Sequence, residues 1–331
     1  MSQIYGIDLS KEKFDVNYLN AENVETHKIV KNNLKSISRF LEKLPQDALL
    51  CAEHTGIYGE LLVYLANCMN ISISLTPGYE IKHSLGMQKG KTDKVDAGRI
   101  REYGERFMDR LKQTQITEEP IKELRELHTL RSQLVKERKM LTTHCSEKKQ
   151  SPFNSVLAHQ ISQRQLEALE LAIEELDQEI LLIVEHQEEL YENYKLATSV
   201  MGIGPVTACE LIIKTGNFKQ IDTAPKAASY AGICPFPNAS GKMVKKSKTS
   251  PLADKALKTL LHMCTKSAYT HNKELNLYYQ RKKQEGKPHY LILNNISNKL
   301  LRTVYSVVKS RIPYDQNYIC TDPRESEKKV A

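Results

Sequence analysis

The chain has 331 residues, 40% of them hydrophobic, which is enough for packed cores in at least two domains. No segment approaches the run of about 18 apolar residues that a membrane-spanning helix needs, and the first residues lack the basic start and apolar run of a signal peptide. The seven cysteines are odd in number and form no CxxC pair, which favours reduced thiols over disulfides or a zinc site. We therefore expect a cytoplasmic protein with no membrane partner.

The charge is unevenly distributed along the chain, whose net charge is +8. Residues 196–331 contain 22 Lys and Arg against 9 Asp and Glu, residues 117–195 contain 10 against 16, and residues 1–116 contain 16 against 15. The basic C-terminal part is typical of a domain that binds a polyanion such as a nucleic acid. A basic surface has other uses as well, so charge alone leaves that question open.

The first third alternates between strand and helix patterns. The pattern predicts three successive antiparallel strands, a helix, a buried strand, a helix, a strand and two further helices. The predicted strands cover 4–8, 14–19, 24–30, 48–53 and 71–75, and the predicted helices cover 33–44, 59–69, 79–87 and 93–108. This α/β order is that of the ribonuclease-H-like fold.

The middle of the chain has the pattern of long helices. One helix is predicted to start near Pro120, since proline is favoured in a first turn. Apolar residues between 166 and 190 recur at alternating steps of three and four, which indicates a heptad seam, and residues 150–163 are the predicted connection. The segment 117–195 is then a helical hairpin or coiled coil, and its seam packs either within one chain or against a second subunit.

The last part is predicted to be mainly helical. Gly202-Ile203-Gly204-Pro205 leads into an amphipathic pattern and resembles a helix-hairpin-helix motif, whose backbone N–H groups meet phosphate; the alternative is a simple tight turn. Residues 234–251 are predicted to be a loop, helices are predicted at 252–269 and 289–310, and the tail after Tyr314 is polar.

Four carboxylates stand at the ends of predicted elements. Asp8 ends the first strand and Glu53 the fourth, which are neighbours in the inferred fold, while Asp93 and Asp96 share one face of a helix. Crowded carboxylates repel unless cations neutralise them, and Mg²⁺ is the usual hard cation beside phosphates. Two such ions about 4 Å apart can activate an attacking oxygen and stabilise a leaving one. Taken singly, each residue could be a surface charge or a helix cap, and Asp93 after Thr92 could be an N-cap.

Three motifs resemble those of the DEDD transposases, a group similar to Piv-type DNA invertases that includes recombinases guided by a bridging RNA. They are Tyr5-Gly6-Ile7-Asp8, Glu53-x-Thr55-Gly56 and the segment from Lys91 to Ala97. The resemblance covers nearly the whole chain. It implies a RuvC-like catalytic domain at 1–113, a helical middle at 114–195, a C-terminal transposase domain at 196–318 and a polar tail at 319–331.

The resemblance further implies the site residues and partners. Asp8, Glu53, Asp93 and Asp96 would bind Mg²⁺, with Mn²⁺ as an alternative, and Ser240 of Ser240-Gly241 would be the nucleophile that forms a phosphoserine link to DNA. Donor and target DNA, a guide RNA and a homo-oligomer, dimer or tetramer, would be the partners. The residues expected to contact nucleic acid are Lys242, Lys245, Lys246, Lys248, Gly202 and Gly204.

The local sequence is compatible with a reactive serine but does not by itself require one. The following lysines can hold a phosphodiester and stabilise charge on phosphorus, whereas residues 237–241 also have ordinary turn composition. Members of the family often carry Ser-Lys-x-Gly after the basic stretch, and here Ser250-Pro251-Leu252-Ala253 stands instead. This departure leaves the DNA contacts of that loop open.

Three functions remain in competition. The first is a transposase that cuts and rejoins DNA. The second is a RuvC-like nuclease that resolves Holliday junctions by metal-dependent hydrolysis and needs no serine nucleophile. The third is a non-catalytic nucleic-acid-binding scaffold, which metal-dependent activity would exclude.

Overall fold

The structure is a computed structural model that describes residues 3–86, 90, 92–116, 118–148, 155–240 and 243–315, with only the backbone described at 148, 237–240 and 243–248. The chain divides into two compact units, Met1–Ile116 and Thr117–Ala331. The finer division predicted at 113, 195 and 318 stays a prediction.

The first unit contains a five-stranded sheet and four α-helices. Its strands are β1 (Ile4–Leu9), β2 (Lys13–Leu19), β3 (Glu25–Lys31), β4 (Leu49–Glu53) and β5 (Ser72–Thr76). Its helices are α1 (Leu34–Leu41), α2 (Glu60–Cys68), α3 (Gly78–Ser84) and α4 (Asp93–Arg106), with short 3-10 turns at Gly56–Gly59 and Met108–Arg110.

The strand order in the sheet is β3-β2-β1-β4-β5. The antiparallel pairing of β1 with β2 and of β2 with β3 confirms the predicted succession of three strands. The parallel pairing of β1 with β4 confirms that the first and fourth strands are neighbours, and β5 adds to β4 in parallel. One core on this sheet is formed by residues of all five strands with α1 and α2.

Helix α4 lies against β1 through glycines on both elements. A β-carbon on Gly6 would come within 2.3 Å of the Ala97 carbonyl oxygen, and one on Gly104 would come within 2.8 Å of Ile4. Arg101 Nε donates to Oδ1 of the buried Asn17 on β2 over 2.7 Å. Because Gly6 and Gly104 have no β-carbon, α4 can lie close to the centre of the sheet, and the hydrogen bond from Arg101 to Asn17 holds it there.

The second unit is mainly helical. Its helices are α5 (Glu119–Lys148), α6 (Val156–Glu185), α7 (Glu188–Ser199), α8 (Pro205–Thr215), α9 (Ala224–Tyr230), α10 (Lys255–His271), α11 (Lys273–Gln284) and α12 (His289–Ser310). A hairpin of β6 (Phe236–Ser240) and β7 (Met243–Lys248) completes it. One core draws on every helix of this unit except α11.

Helices α5 and α6 pack together as the predicted hairpin. Ile173, Leu176 and Ile180 of the heptad seam are buried, so this part of the seam packs within the chain. Arg131 of α5 makes a two-pronged ion pair with Asp177 of α6. The prediction of a connection over 150–163 is wrong from Val156 onward, because α6 already begins there with Ser155 as its N-cap.

One prediction for the C-terminal part was wrong, and one helix was missed. Residues 236–240 and 243–248 form a β-hairpin, whereas a loop was predicted over 234–251. Strand pairing needs backbone hydrogen bonds but no apolar alternation, and that alternation is absent from this polar segment. Helix α11 was missed because it has no fully buried residue, and its short apolar stripe of Leu275, Tyr278 and Tyr279 lies among many polar and charged residues.

None of the helices in the described ranges combines the length and apolar composition needed to cross a bilayer. Six cysteines lie in those ranges, and all six are free thiols. The predicted polar tail after Tyr314 falls outside the described residues, apart from Asp315.

Candidate active site

Asp8 and Glu53 lie at the same edge of the sheet. Both are half-buried near the C-terminal ends of β1 and β4, which run parallel as neighbours. Gly78, which follows β5, lies against Glu53 so closely that a β-carbon on it would meet Glu53 Oε1 at 2.1 Å. The glycine therefore leaves the space that the Glu53 carboxylate occupies.

Asp93 and Asp96 occupy the first turn of α4. Thr92 is the N-cap and its side chain accepts from the Val95 N–H, so the alternative of Asp93 as the N-cap is wrong. Acidic side chains in a first turn interact favourably with the helix dipole. The close docking of α4 on β1 places this turn beside the edge where Asp8 and Glu53 lie.

The four predicted carboxylates influence one another electrostatically. Burial and the negative charges of Asp96, Glu53 and Asp93 raise the pKa of Asp8 to about 6, well above its ordinary value of 3.8. Burial and nearby negative charge both favour the protonated form of a carboxyl, so Asp8 keeps its proton to a higher pH than an ordinary aspartate does. Glu53, Asp93 and Asp96 therefore lie within electrostatic reach of Asp8.

Basic side chains hold the two aspartates of α4. Lys13 Nζ lies 3.0 Å from Asp93 Oδ2 and 3.1 Å from Asp15 Oδ2, and these hydrogen bonds raise the pKa of Lys13. Arg99 Nη1 donates to Asp96 Oδ1 over 2.8 Å. Asp15, buried on β2, is also 2.7 Å from His27 Nε2.

The donor chemistry of this edge fits a hard divalent cation. Its ligands would be carboxylate oxygens, which Mg²⁺ and Mn²⁺ prefer over nitrogen or sulfur, and burial together with the nearby carboxylates raises the pKa of Asp8. Within the described residues, however, no three His, Cys, Asp or Glu side chains form a group that could hold one ion. Asp8, Glu53, Asp93 and Asp96 as metal ligands therefore stay a prediction.

Ser240 ends β6, opposite Met243 of β7 in the hairpin register. Lys245 pairs with Asn238 and Lys248 with Phe236, so the predicted basic residues Lys245, Lys246 and Lys248 lie along β7. Gly241 and Lys242 fall outside the described residues. The backbone therefore places the serine next to the point where the hairpin reverses.

The Gly-x-Gly segment connects α7 to α8. Gly202 has a φ of +95°, and a β-carbon on it would meet Ala268 and the Cys264 carbonyl of α10 at 2.7 Å, so packing alone accounts for this glycine. Gly204 is the N-cap of α8 and has open space around its α-carbon. A role of either glycine in nucleic-acid binding stays a prediction.

Sequence reasoning missed Lys13, Asp15 and Gly78 at this edge. The residues themselves carried a weak signal: Asp15 interrupts an apolar strand, and Gly78 directly follows the strand next to β4. The ion pair between Lys13 and Asp93 joins residues 80 positions apart, so only the folded arrangement reveals it.

Two family models match this chain. A DEDD transposase model of the IS110 type matches residues 5–148, which include all four carboxylates. A model for the transposases of the IS116/IS110/IS902 family matches residues 194–280, which include Ser240 and the basic hairpin.

Curated relatives extend the likeness over the chain. Pilin gene-inverting proteins of Moraxella bovis and Moraxella lacunata are each 26% identical, over 96% of this chain and 99% of their own length. An uncharacterised protein of insertion element IS110 from Streptomyces coelicolor is 24% identical over 36% of this chain and 29% of its own length.

Proposed function

This chain belongs to the IS110 family of transposases and is a DNA recombinase, and we propose that it cuts and rejoins DNA with the acidic edge around Asp8 and the serine nucleophile Ser240. The observation that carries the proposal is the grouping of Glu53, Asp93 and Asp96 near Asp8, whose pKa is raised to about 6 by burial and by their negative charge. Perturbed carboxyls of this kind concentrate at functional sites.

We assign the first unit to a ribonuclease-H-like, RuvC-like catalytic domain. The strand order β3-β2-β1-β4-β5 supports this assignment, together with the position of the carboxylates at the ends of β1 and β4. Asp8, Glu53, Asp93 and Asp96 would hold Mg²⁺, or Mn²⁺ in its place. When bound, the ion supplies Lewis-acid stabilisation of charge on the phosphate oxygens.

The serine keeps the energy of the broken phosphodiester in a protein–DNA bond. Its Oγ bonds to phosphorus, the phosphodiester bond to one sugar oxygen breaks, and that oxygen takes up the proton that the serine loses. Joining reverses these steps, with a sugar hydroxyl of the new partner strand attacking the phosphoserine. Lys242, Lys245, Lys246 and Lys248 would hold the phosphate and stabilise the charge that develops on it.

We further propose that a guide RNA selects the DNA sites and that the protein acts in the cytoplasm as a dimer or tetramer. Support comes from the resemblance to RNA-guided recombinases and from the basic balance of residues 196–331. Joining two DNA sites also requires several strands to be handled together, which favours more than one subunit.

A covalent-adduct assay tests the nucleophile. The protein is mixed with labelled DNA and Mg²⁺ and run on a denaturing gel, where a phosphoserine link gives a slow band that survives denaturation. Ser240→Ala should abolish this band and the joined product while DNA binding persists, because one hydroxyl is lost and the lysines remain. Ser247→Ala and Ser250→Ala are matched controls in the same basic segment and should keep the band.

Two outcomes contradict the assignment. If the band disappears only with Ser247→Ala or Ser250→Ala, another serine is the nucleophile. If no variant forms the band while DNA is still cut, the enzyme hydrolyses DNA as a Holliday-junction resolvase does.

A further inference from the structure

Helices α10, α11 and α12 carry a strong excess of positive charge. Residues 255–310 contain 11 Lys and Arg but only two acidic residues, Glu274 and Glu285. Glu285 is already engaged by Lys282, 2.7 Å away, and by Arg281. Among the described residues, Lys283 and Lys287 have no carboxylate within ion-pair distance, so their charge is available to an external anion.

Aromatic rings form a continuous array over the same helices. Tyr269 of α10 stacks on Tyr279 of α11, with ring centres 4.4 Å apart and planes 9° apart. Tyr279 also donates to or accepts from His289 Nδ1 over 3.0 Å. His289 then contacts Tyr290, which contacts His262 of α10. Successive ring contacts thus run from Tyr269 to Tyr290.

The outer end of this array faces solvent. Tyr290 is 71% exposed, whereas Tyr269 and Tyr279 are half-buried and pack against the core of the unit. Core packing therefore accounts for the inner tyrosines but not for Tyr290. An exposed tyrosine ring provides a face for stacking at low entropic cost, because its side chain has only two rotatable dihedral angles.

Tyr290 also lies in the first turn of α12, an electropositive position. This 22-residue helix begins after Pro288, which provides no side-chain cap, and has no acidic residue in its first turn. Backbone N–H groups at a helix start favour phosphate. Lys287 lies one residue before Pro288, so ring face, cation and helix start occur together within four residues.

We propose that this surface, comprising His289, Tyr290, Lys283, Lys287 and the start of α12, binds an unpaired stretch of nucleic acid. A base stacks on Tyr290, and the adjoining phosphates lie against Lys283, Lys287 and the helix start. In a duplex the faces of the bases are covered by their neighbours, so a ring face selects unpaired nucleotides. The inference rests on the proposed function and adds a binding site separate from the basic hairpin.

The test measures binding without catalysis. All proteins carry Ser240→Ala and are assayed in EDTA against fluorescein-labelled oligonucleotides of about 12 nucleotides, the size range of single-strand sites. The probes are oligoadenylate as RNA, oligoadenylate as DNA and a mixed-sequence DNA duplex of the same length. Tyr290→Ala should weaken single-strand binding about tenfold to hundredfold, the typical contribution of one stacked base, and leave duplex binding little changed.

Two further variants make the result specific. Tyr290→Trp keeps a stacking face and should bind as the parent does. Leu277→Ala removes an equally exposed apolar side chain of the same helical layer, 70% exposed, and should have no effect. Because Tyr290 is so exposed, its removal should not change the thermal unfolding midpoint, which serves as the check on folding.

The outcomes separate this inference from the proposed function. Unchanged single-strand binding by Tyr290→Ala, or an equal loss for single strand and duplex, overturns the stacking site while leaving the recombinase proposal intact. A parent protein that binds none of the three probes overturns both the stacking site and the recombinase proposal. A larger effect of Tyr290→Ala on the RNA probe identifies RNA as the source of the unpaired nucleotides, and a larger effect on the DNA probe identifies a displaced DNA strand.

Discussion

Gly6 of β1 lies directly against Ala97 of α4, since a β-carbon on Gly6 would come within 2.3 Å of the Ala97 carbonyl oxygen. The atoms in the way belong to the helix backbone and cannot rotate aside. The same helix carries Asp93 and Asp96 in its first turn. The glycine therefore sets how closely these carboxylates approach Asp8.

We predict that Gly6→Ala moves α4 away from the sheet. Overpacking of this kind costs about 1–3 kcal/mol of unfolding free energy, and DNA cleavage should fall more than stability alone explains. Gly98→Ala is the matched control in the same interface, because its β-carbon would meet only side-chain atoms, at 3.4 Å or more. The test measures the free energy of unfolding in urea and the rate of DNA cleavage for both variants and the parent. Equal cleavage by Gly6→Ala and the parent would show that the position of α4 is not critical.

Gly78→Ala should impair catalysis with little loss of stability. The new methyl group would occupy the place of Glu53 Oε1, but that carboxylate ends a flexible side chain and can move aside. Alanine in the first turn of α3 is also a better helix former than glycine. Cleavage assays beside thermal melts test this. A variant that cleaves DNA as the parent does would remove the requirement for Glu53 at its observed place.

The stability of the metal-free protein should depend on Asp8. Its pKa is about 6 in the fold against 3.8 ordinarily, so the folded state binds more protons between these values and stability falls as the pH rises through them. Asp8→Asn removes the repulsion between the Asp8 carboxylate and its acidic neighbours. Above pH 6 the free energy of unfolding of this variant should exceed that of the parent by on the order of 1 kcal/mol, after discounting for solvent around the half-exposed carboxyl.

Urea unfolding in EDTA, below and above this pH window, measures the effect. Asp109→Asn removes the same charge from an exposed position of the same unit, which separates a local effect from a general one. A gain in unfolding free energy that is equal for both variants, or equal below and above this pH window, would contradict the crowding of carboxylates around Asp8. Cleavage by Asp8→Asn in Mg²⁺ should be lost, as it should with Glu53→Gln, Asp93→Asn and Asp96→Asn.

Sequence patterns predicted the elements that carry enough apolar residues to show where a core lies. β1 and β4 are buried along nearly their whole length and stand out as short apolar runs, and the carboxylates at their ends followed from the predicted strand order. Contacts that depend on the tertiary docking of elements were not visible in the sequence. Gly6 matters only because α4 lies on it, and Lys13 contacts Asp93 only once β2 and α4 have assembled.

Assembly into a dimer or tetramer stays a prediction. The buried part of the heptad seam is not accessible to a second subunit, so the contact would have to use other residues. Ile173, Leu176 and Ile180 are used within the chain, whereas Leu157, Ile161 and Leu171 of α6 are exposed. Light scattering of the protein with its nucleic acids should give a mass of more than one subunit, and the double variant Leu157→Glu, Leu171→Glu should lower that mass. A monomer that is active would contradict this prediction.

The lysines of the basic hairpin should contribute to the salt dependence of DNA binding. Replacing Lys245, Lys246 and Lys248 with glutamine removes three charges, so the slope of log affinity against log salt should become shallower by up to about three. The change should be similar for unrelated duplex sequences, because phosphate contacts carry no base information.

The control replaces Lys31, Lys35 and Lys43, three exposed lysines of the first unit, with the same loss of charge. Titrations at several salt concentrations compare the two triple variants. If the slopes change equally, the effect belongs to net charge, and if the hairpin variant keeps the parent slope, the phosphates are held elsewhere in the protein.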